Sequence, residues 1–249
     1  MDDIDLCMGS GRFIKLSERR EVEYKLIPLI SPDNRVLGGP FKGILYDNMD
    51  LVGSAIIPKV LGCYETEIHT AIENACEKNY SDIINIGSGE GYYAVGFAKR
   101  IPGVTVYAFD TNHNAANICS LMAGKNGVHN QILIGGHCTV KWLSEIKFSK
   151  KGLIFCDCEG CELDLLDLEK LPNLKDWDII VELHDFLNPA ISATIKERFS
   201  ATHNITEFHI IERNPSDYPV LKGFTKLEQE IAVSEYRPAG IQWMSLDSN

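Results

Sequence analysis

The chain has 249 residues, of which 45% are hydrophobic and 24% are charged, and its formal net charge at pH 7 is -11. This length allows one good-sized core, and the acidic charge disfavours a nucleic-acid partner, because affinity for a phosphate backbone depends on basic surface. No apolar run approaches the ~20 residues of a membrane span. The N-terminal stretch MDDIDLCMGSGR is acidic where a signal peptide is basic. We therefore expect a cytoplasmic protein with no membrane partner.

The N-terminal quarter of the chain lacks a clear secondary-structure pattern. Residues 1–60 show no hydrophobic periodicity, and they contain the turn signals SPD (31–33) and GGP (38–40). We therefore predict a loop-rich N-terminal extension over 1–60, near the substrate mouth of a domain that spans residues 61–249.

From about residue 64 onward, apolar strand-like runs alternate with helical patterns. Helices are predicted over 64–79, 91–101, 114–126, 161–168, 190–200 and 222–235. Strands are predicted over 82–87, 104–110, 131–136, 152–157, 178–185, 205–213 and 240–246. This order predicts an α/β fold with a doubly wound, mostly parallel, seven-stranded, Rossmann-like sheet, in which the last two strands form an antiparallel pair at the C-terminal edge.

Three glycines follow the first of these strands, in the segment IINIGSGEGYYAVGFA (83–98). A phosphate-binding P-loop needs Lys and then Ser or Thr after its last glycine, whereas Tyr92 and Tyr93 follow Gly91. A dinucleotide fingerprint needs G-x-G-x-x-G, and Tyr92 stands where its third glycine belongs. Glu90 would also repel a pyrophosphate at the start of the next helix. The loop therefore favours a cofactor without phosphate.

S-adenosylmethionine is a cofactor of this kind, since it carries a sulfonium, an ammonium and a carboxylate group but no phosphate. Asp110 ends the next predicted strand. At the carboxyl edge of the sheet its carboxylate can accept hydrogen bonds from both ribose hydroxyls. The alternative is that Asp110 caps the following helix.

Three blocks of the sequence resemble class I S-adenosylmethionine-dependent methyltransferases, and more narrowly the FkbM-type family. The blocks are NIGSGEGYYAVGFA, VYAFDTN, and FCDCEGCELDLL followed by IIVELHDF. The last block resembles the family's D-x-E-G-x-E segment at Asp157, Glu159, Gly160 and Glu162. The resemblance covers about residues 60–186, which is roughly half of the chain.

The resemblance implies that the loop glycines line the methionine part of the cofactor and that Asp110 holds its ribose. Asn85 stands where the family usually has an acid, so the charge attraction to the cofactor's ammonium is absent. His137 lies where side chains flank an adenine in this fold, although an exposed loop histidine is the alternative. Glu65 could reach the cofactor or could instead be an acid at a helix start. The predicted cofactor-binding residues are Glu65, Asn85, Gly87, Ser88, Gly89, Gly91, Asp110 and His137.

Acidic residues and a histidine collect at the carboxyl edge of the predicted sheet, where ligands bind in this architecture. Asp157 and Glu159 follow one strand, and Glu182, His184 and Asp185 end the next. Alternation places Glu182 and His184 on one face of the sheet and Asp185 on the other. We predict His184 as the base that removes the acceptor's proton, with Asp157 as the second choice. Either could instead be a structural hydrogen-bonding group.

A divalent cation is the open alternative for these carboxylates, because oxygen ligands suit magnesium or calcium. First-turn acids of a helix explain Glu159 and Glu162 as well, so a metal is possible but not expected. The eight cysteines include a C-x-C-x-x-C cluster at Cys156, Cys158 and Cys161. This spacing does not match a zinc site, and we expect reduced, packing thiols.

Together these observations predict an S-adenosylmethionine-dependent O-methyltransferase that acts on a hydroxyl of a small molecule or sugar. The oxygen acceptor and the substrate class are implied by the resemblance. One alternative is a methyltransferase-fold protein that binds a ligand without catalysis, which Asn85 favours. Another is an NAD-dependent oxidoreductase, which Tyr92 disfavours. The sequence leaves the acceptor's identity and the oligomeric state open.

Overall fold

The computed structural model describes residues 4–8, 11–46, 55–148, 151–238 and 240–249. The chain folds as two compact units, of which the first comprises Met1–Thr66 with Ile211–Pro238 and the second Glu67–Ile210 with Ala239–Asn249. The α-helices of the described residues are α1 (Leu16–Ile30), α2 (Ile56–Leu61), α3 (His69–Glu77), α4 (Tyr92–Arg100), α5 (His113–Lys125), α6 (Val140–Glu145), α7 (Glu162–Leu165), α8 (Ile191–Phe199) and α9 (Lys226–Val233). The strands are β1 (Asp5–Cys7), β2 (Phe13–Lys15), β3 (Asp82–Ile86), β4 (Thr105–Phe109), β5 (Ile132–Gly135), β6 (Leu153–Cys156), β7 (Asp178–Leu183), β8 (His203–His209) and β9 (Gln242–Ser248).

The second unit contains a seven-stranded sheet with the strand order β5-β4-β3-β6-β7-β9-β8. The first five strands in this order, β5, β4, β3, β6 and β7, pair in parallel with their neighbours. Strand β9 runs antiparallel to both of its neighbours, β7 and β8. This topology confirms the predicted doubly wound, mostly parallel sheet and its antiparallel pair at the C-terminal edge.

The order of the strands determines where a ligand can bind. The chain moves from β3 outward through β4 to β5 and then returns to the other side of β3 to form β6. In open α/β sheets, ligands bind at the carboxyl ends of the strands beside such a reversal. Gly87 follows β3 at this point, and Asp157 follows β6, so the two predicted halves of the site meet here.

The central strands are apolar along their whole length because both faces of the sheet are covered. Ile84 and Ile154 belong to a buried cluster on one face, and neither side chain is exposed. On the other face the ring of Tyr93, from α4, packs on Phe155 with centroids 4.1 Å apart. Phe155 also packs against Trp243 of β9 at 5.2 Å, which links the parallel strands to the antiparallel pair.

The first unit differs from the expectation of a loop-rich extension over residues 1–60. It contains the 15-residue helix α1 and the short helix α2. Two of the buried positions of α1 are charged, since Arg19 and Glu23 form a buried ion pair at 3.1 Å. These charged residues hide the apolar periodicity that would have predicted the helix. Within the described ranges, no helix combines the length and the apolar character needed to cross a membrane.

Residues from a distant part of the sequence complete the first unit. Residues 211–238, which the sequence pattern predicts as part of the domain over 61–249, include α9 and belong with the N-terminal residues. Thr225 and Glu228 form a capping box at the start of α9. Lys25 of α1 donates to Glu228 at 2.5 Å, so the same carboxylate joins the two helices.

Candidate cofactor and catalytic site

The three glycines between β3 and α4 all have positive φ, at 76° for Gly87, 51° for Gly89 and 96° for Gly91. A Cβ atom at Gly87 would lie 1.6 Å from the carbonyl oxygen of Asp157, and one at Gly91 would lie 2.7 Å from Sγ of Cys119. A Cβ at Gly89 would meet nothing within 4 Å. Packing therefore requires glycine at the first and third positions, whereas the second leaves backbone open for a ligand to approach.

Asp110, directly after β4, lies against this loop. Its Oδ2 accepts a hydrogen bond from the N–H of Gly89 at 2.8 Å, and its Oδ1 accepts one from the N–H of Asn112 at 2.8 Å. The side chain of Asn112, not that of Asp110, caps α5. Each oxygen of Asp110 keeps a further lone pair. The aspartate thus holds the loop in place and remains a half-buried acceptor at the carboxyl edge.

Two buried polar side chains of this region lack hydrogen-bond partners among the described residues. Asn85 in β3 is fully buried, and neither Oδ1 nor Nδ2 of its amide is paired. The Oγ of Ser88, in the loop, is also buried and unpaired. Leaving such a group unsatisfied costs about 1–3 kcal/mol, so these atoms are available to a polar ligand at the end of β3.

The other two predicted cofactor residues belong to different units. His137 follows β5 at the carboxyl edge of the sheet and is exposed. Glu65 belongs to the first unit, where it is fully buried and pairs with the guanidinium of Arg237. The contribution of either residue to cofactor binding stays a prediction.

His184, directly after β7, lies among three carboxylates and is buried. Its Nδ1 is 2.5 Å from Oε1 of Glu162, and its Nε2 is 3.3 Å from Oε2 of Glu182 and 3.6 Å from Oδ1 of Asp157. Asp185 instead accepts a hydrogen bond from the backbone of α8, as the alternation of the strand predicts. The structure therefore brings the two predicted catalytic residues, His184 and Asp157, together.

The environment of His184 has opposing effects on its pKa. Burial lowers the pKa, whereas the hydrogen bond to Glu162 and the charge of Asp157 raise it, and the net effect is a pKa above the ordinary value. A protonated imidazole cannot accept a proton. His184 can therefore act as a base only at a pH above this raised pKa, and below it the ring donates hydrogen bonds from both nitrogens.

The same side chains could hold a divalent cation. Asp157, Glu182 and His184 each offer one ligand atom, and these atoms lie within 4.8 Å of one another. Glu162, on the other ring nitrogen, would direct Nε2 toward such an ion, which is the usual arrangement around a histidine ligand. An imidazolium proton on Nε2 would occupy the same space, so the proton and the cation are alternatives. Glu159 is exposed and outside this group.

The cysteine cluster corrects one sequence-based expectation. Cys158 and Cys161 are not free packing thiols but form a disulfide, with their Cα atoms 5.7 Å apart. They come within bonding range because the chain reverses at Glu159 and Gly160, whose φ angles are 51° and 113°. The other cysteines of the described residues, including Cys156, are free.

Comparisons with known proteins bear on the fold. No family model and no curated protein matches the chain. It is similar to the structure of a provisionally assigned O-methyltransferase from Klebsiella pneumoniae, with a TM-score of 0.53 and 11% identity over 92% of this chain and 90% of that one. It is also similar to the O-methyltransferase TomG from Streptomyces achromogenes, involved in tomaymycin synthesis and solved with SAM, with a TM-score of 0.53 and 10% identity over 94% of this chain and 89% of that one. The chain therefore has the Rossmann-like fold of these two methyltransferase structures.

Proposed function

We propose that this protein is an S-adenosylmethionine-dependent methyltransferase. The observation that carries the proposal is the open backbone at Gly89 beside the carboxylate of Asp110, at the point where the sheet reverses its strand order. The occurrence of SAM in the TomG structure, which shares the fold, supports the same cofactor here.

The polar groups around the loop fit this cofactor chemically. The free lone pairs of Asp110 suit the two ribose hydroxyls. The unpaired Oδ1 of Asn85 can accept from an ammonium group, and Nδ2 of Asn85 and the hydroxyl of Ser88 can donate to a carboxylate. Glu90 is buried within the loop and would oppose a phosphate at the start of α4. The same groups therefore disfavour a dinucleotide.

The methyl acceptor in this proposal is a hydroxyl oxygen of a small molecule or sugar. When bound, the cofactor would supply an electrophilic methyl group, so the protein must orient the acceptor and remove its proton. Asp157 is the more exposed carboxylate of the cluster, at 27%, and can accept a hydrogen bond from the acceptor's hydroxyl. His184 can take the proton above its raised pKa. The net charge of -11 supports a small-molecule acceptor over a nucleic acid, and a cytoplasmic location remains part of the proposal.

Calorimetric titration tests the cofactor assignment. We expect S-adenosylmethionine and S-adenosylhomocysteine to bind and NAD not to bind. Asp110→Asn should weaken S-adenosylmethionine binding by about 1–3 kcal/mol, because charge-assisted hydrogen bonds are lost. Asp164→Asn is the matched control, since Asp164 is an exposed aspartate on α7.

Two results would contradict the assignment. Binding of NAD alone would replace the methyl donor with a dinucleotide. An unchanged dissociation constant in Asp110→Asn would show that the ribose lies elsewhere. Because Asp110 also holds the loop, thermal unfolding of the variant should be measured beside the titration, so that a folding defect is separated from a binding defect.

A second candidate is a methyltransferase-fold protein that binds the cofactor without catalysis. Asn85 favours it, because an amide in that position lacks the charge that would attract the cofactor's ammonium. Transfer of a radiolabelled methyl group to a panel of hydroxylated acceptors distinguishes the two. Tight cofactor binding without transfer to any acceptor would favour the second candidate.

A further inference from the structure

Three cysteines lie between the end of β6 and the start of α7. Cys158 and Cys161 are joined by the disulfide, and both are half-buried. Cys156 is fully buried, and its Sγ lies 3.6 Å from Sγ of Cys158. The disulfide therefore lies inside the candidate site, since Asp157 precedes it directly and Glu162 follows it directly.

The disulfide closes a ring of residues that positions the partner of His184. The N–H of Gly160, within the ring, donates to Oε1 of Glu162 at 3.2 Å. The same oxygen lies 2.5 Å from Nδ1 of His184. A disulfide restricts the conformations open to the segment that it closes. The intact bond therefore favours the arrangement in which the Gly160 N–H contacts Glu162 and Glu162 contacts the imidazole.

We propose that Cys158 and Cys161 are a reversible redox pair, and that a dithiol reductant switches Glu162 and His184 from an ordered to a looser arrangement. A thiolate of the reductant attacks one of the two sulfurs, so that the disulfide breaks and a mixed disulfide forms. The second thiolate of the reductant then displaces the protein's sulfur. The protein gains two electrons and two protons as two thiols, and the dithiol becomes a disulfide.

Cys156, the third cysteine of this segment, does not take part in the exchange between the reductant and the Cys158–Cys161 disulfide. Cys156 lies close to Cys158, but its side chain is fully buried, whereas Cys158 and Cys161 are half-buried. A reductant from solution therefore reaches the Cys158–Cys161 pair and not Cys156.

The redox state of the folded full-length protein can be measured directly. We expect dithiothreitol at neutral pH to release two thiols in the folded protein, which maleimide labelling and peptide mass measurement should locate at Cys158 and Cys161. On reduction, amide exchange at Gly160 should become faster and the NMR signals of the His184 ring should shift. A disulfide that resists dithiothreitol until the protein unfolds would overturn the proposal. Reduction that leaves the Gly160 exchange and the His184 signals unchanged would also overturn it.

Two variants show whether the response belongs to this pair. The double variant Cys158→Ser, Cys161→Ser should show the reduced-state His184 signals with and without reductant. Cys76→Ser is the matched control, because Cys76 is a buried free cysteine in α3, and it should respond to dithiothreitol as the wild type does. If the double variant kept the oxidised-state signals, the disulfide would not position Glu162 and His184.

The effect on turnover rests on the proposed function. We expect kcat to fall about tenfold on reduction, because a catalytic group misplaced by ~1 Å can cost up to ~10²-fold. The dissociation constant of S-adenosylmethionine should change little, since Gly89 and Asp110 lie outside the ring. If His184 switched with redox state but no methyl transfer occurred in either state, the redox pair would be supported and the proposed function refuted.

Discussion

At the scale of single residues, His184 shows how position changes the role of a side chain. A histidine at a strand end suggests a base, because an unperturbed imidazole titrates near neutral pH. The structure surrounds it with Glu162, Glu182 and Asp157, and the raised pKa favours the protonated ring. Whether His184 removes a proton therefore depends on the pH of the assay.

The pH profile of methyl transfer tests this role. With His184 as the base, kcat/KM should rise with pH through a midpoint above 6.5, the ordinary value, since only the neutral ring accepts a proton. Glu162→Gln should move the midpoint to lower pH, because it removes the charge that holds the proton on the ring. Glu159→Gln, at an exposed position farther from the ring nitrogens, should move it less and is the control. A midpoint that does not respond to Glu162→Gln would assign the profile to another group.

The sequence predicts the positions of some residues of the candidate site but not the contacts of others. The glycine loop and Asp110 follow from local spacing, and both are found at the end of adjacent strands. The sequence indicates only that Glu162 is an acidic residue in the first turn of a helix. Its contact with Nδ1 of His184 depends on the alignment of β6 with β7, which local sequence does not predict. The sequence does not predict the disulfide for a similar reason, because the bond depends on left-handed backbone at Glu159 that no sequence pattern indicates.

At the scale of elements, the turn between β3 and α4 separates packing from ligand binding. The backbone of Asp157 approaches Gly87 so closely that a side chain there would clash with main-chain atoms. Gly89, two residues later, has open space instead. A motif that looks uniform in sequence thus contains one glycine needed for the contact between β3 and β6 and one that leaves room for a ligand.

Alanine substitutions should distinguish these two glycines. Gly87→Ala should strongly lower the thermal unfolding temperature or prevent folding, because the clash is with backbone that cannot rotate away. Gly89→Ala should cost only about 1–2 kcal/mol of stability, for left-handed backbone at a non-glycine residue. It should nevertheless weaken S-adenosylmethionine binding in calorimetry, since the new methyl group enters the open space. Equal losses of stability in the two variants would contradict this assignment.

Elements were predicted well where burial is uniform and poorly where charged residues are buried. Apolar runs predict all seven strands of the large sheet, although β8 ends at His209 rather than continuing to residue 213. Helix α1 is not predicted because two of its buried positions are the charged residues Arg19 and Glu23. They form an i,i+4 ion pair within the helix, but it is tertiary packing that buries the pair, so hydrophobic periodicity cannot reveal this face of the helix.

At the scale of the whole molecule, the second unit has a buried charge at the opposite, amino end of β7. Asp178 is buried, and its carboxylate pairs with Lys78 at 2.9 Å and with Lys151 at 2.8 Å. It also accepts hydrogen bonds from the N–H of Ser248 at 2.8 Å and from the hydroxyl of Tyr80 at 2.5 Å. Burial raises its pKa, but the bonds from Lys151, Tyr80 and Lys78 lower it more, and the net pKa lies far below the ordinary value. This carboxylate connects α3, β7 and β9.

Stability should therefore depend on Asp178 at low pH. Because the folded-state pKa is depressed, the stabilisation is present above the unfolded-state pKa of about 3.9 and is lost as the pH falls through the folded value. Asp178→Asn should lower the free energy of unfolding at pH 7 by about 1–3 kcal/mol, since the charge-assisted hydrogen bonds to the buried carboxylate are lost while Lys78 and Lys151 stay partly hydrated. The variant should also lose less stability than the wild type between pH 4 and pH 2, as measured by urea unfolding. A parallel decline in both proteins would assign acid unfolding to other carboxylates.

The interleaving of the two units has a consequence for biosynthesis. Residues 211–238, which complete the first unit, are made after β8, and β9, which separates β7 from β8, is made after them. During synthesis, the first unit therefore cannot be completed before residue 238 leaves the ribosome, and the second cannot be completed before β9 does. A chain that stops before residue 211 would leave neither unit intact.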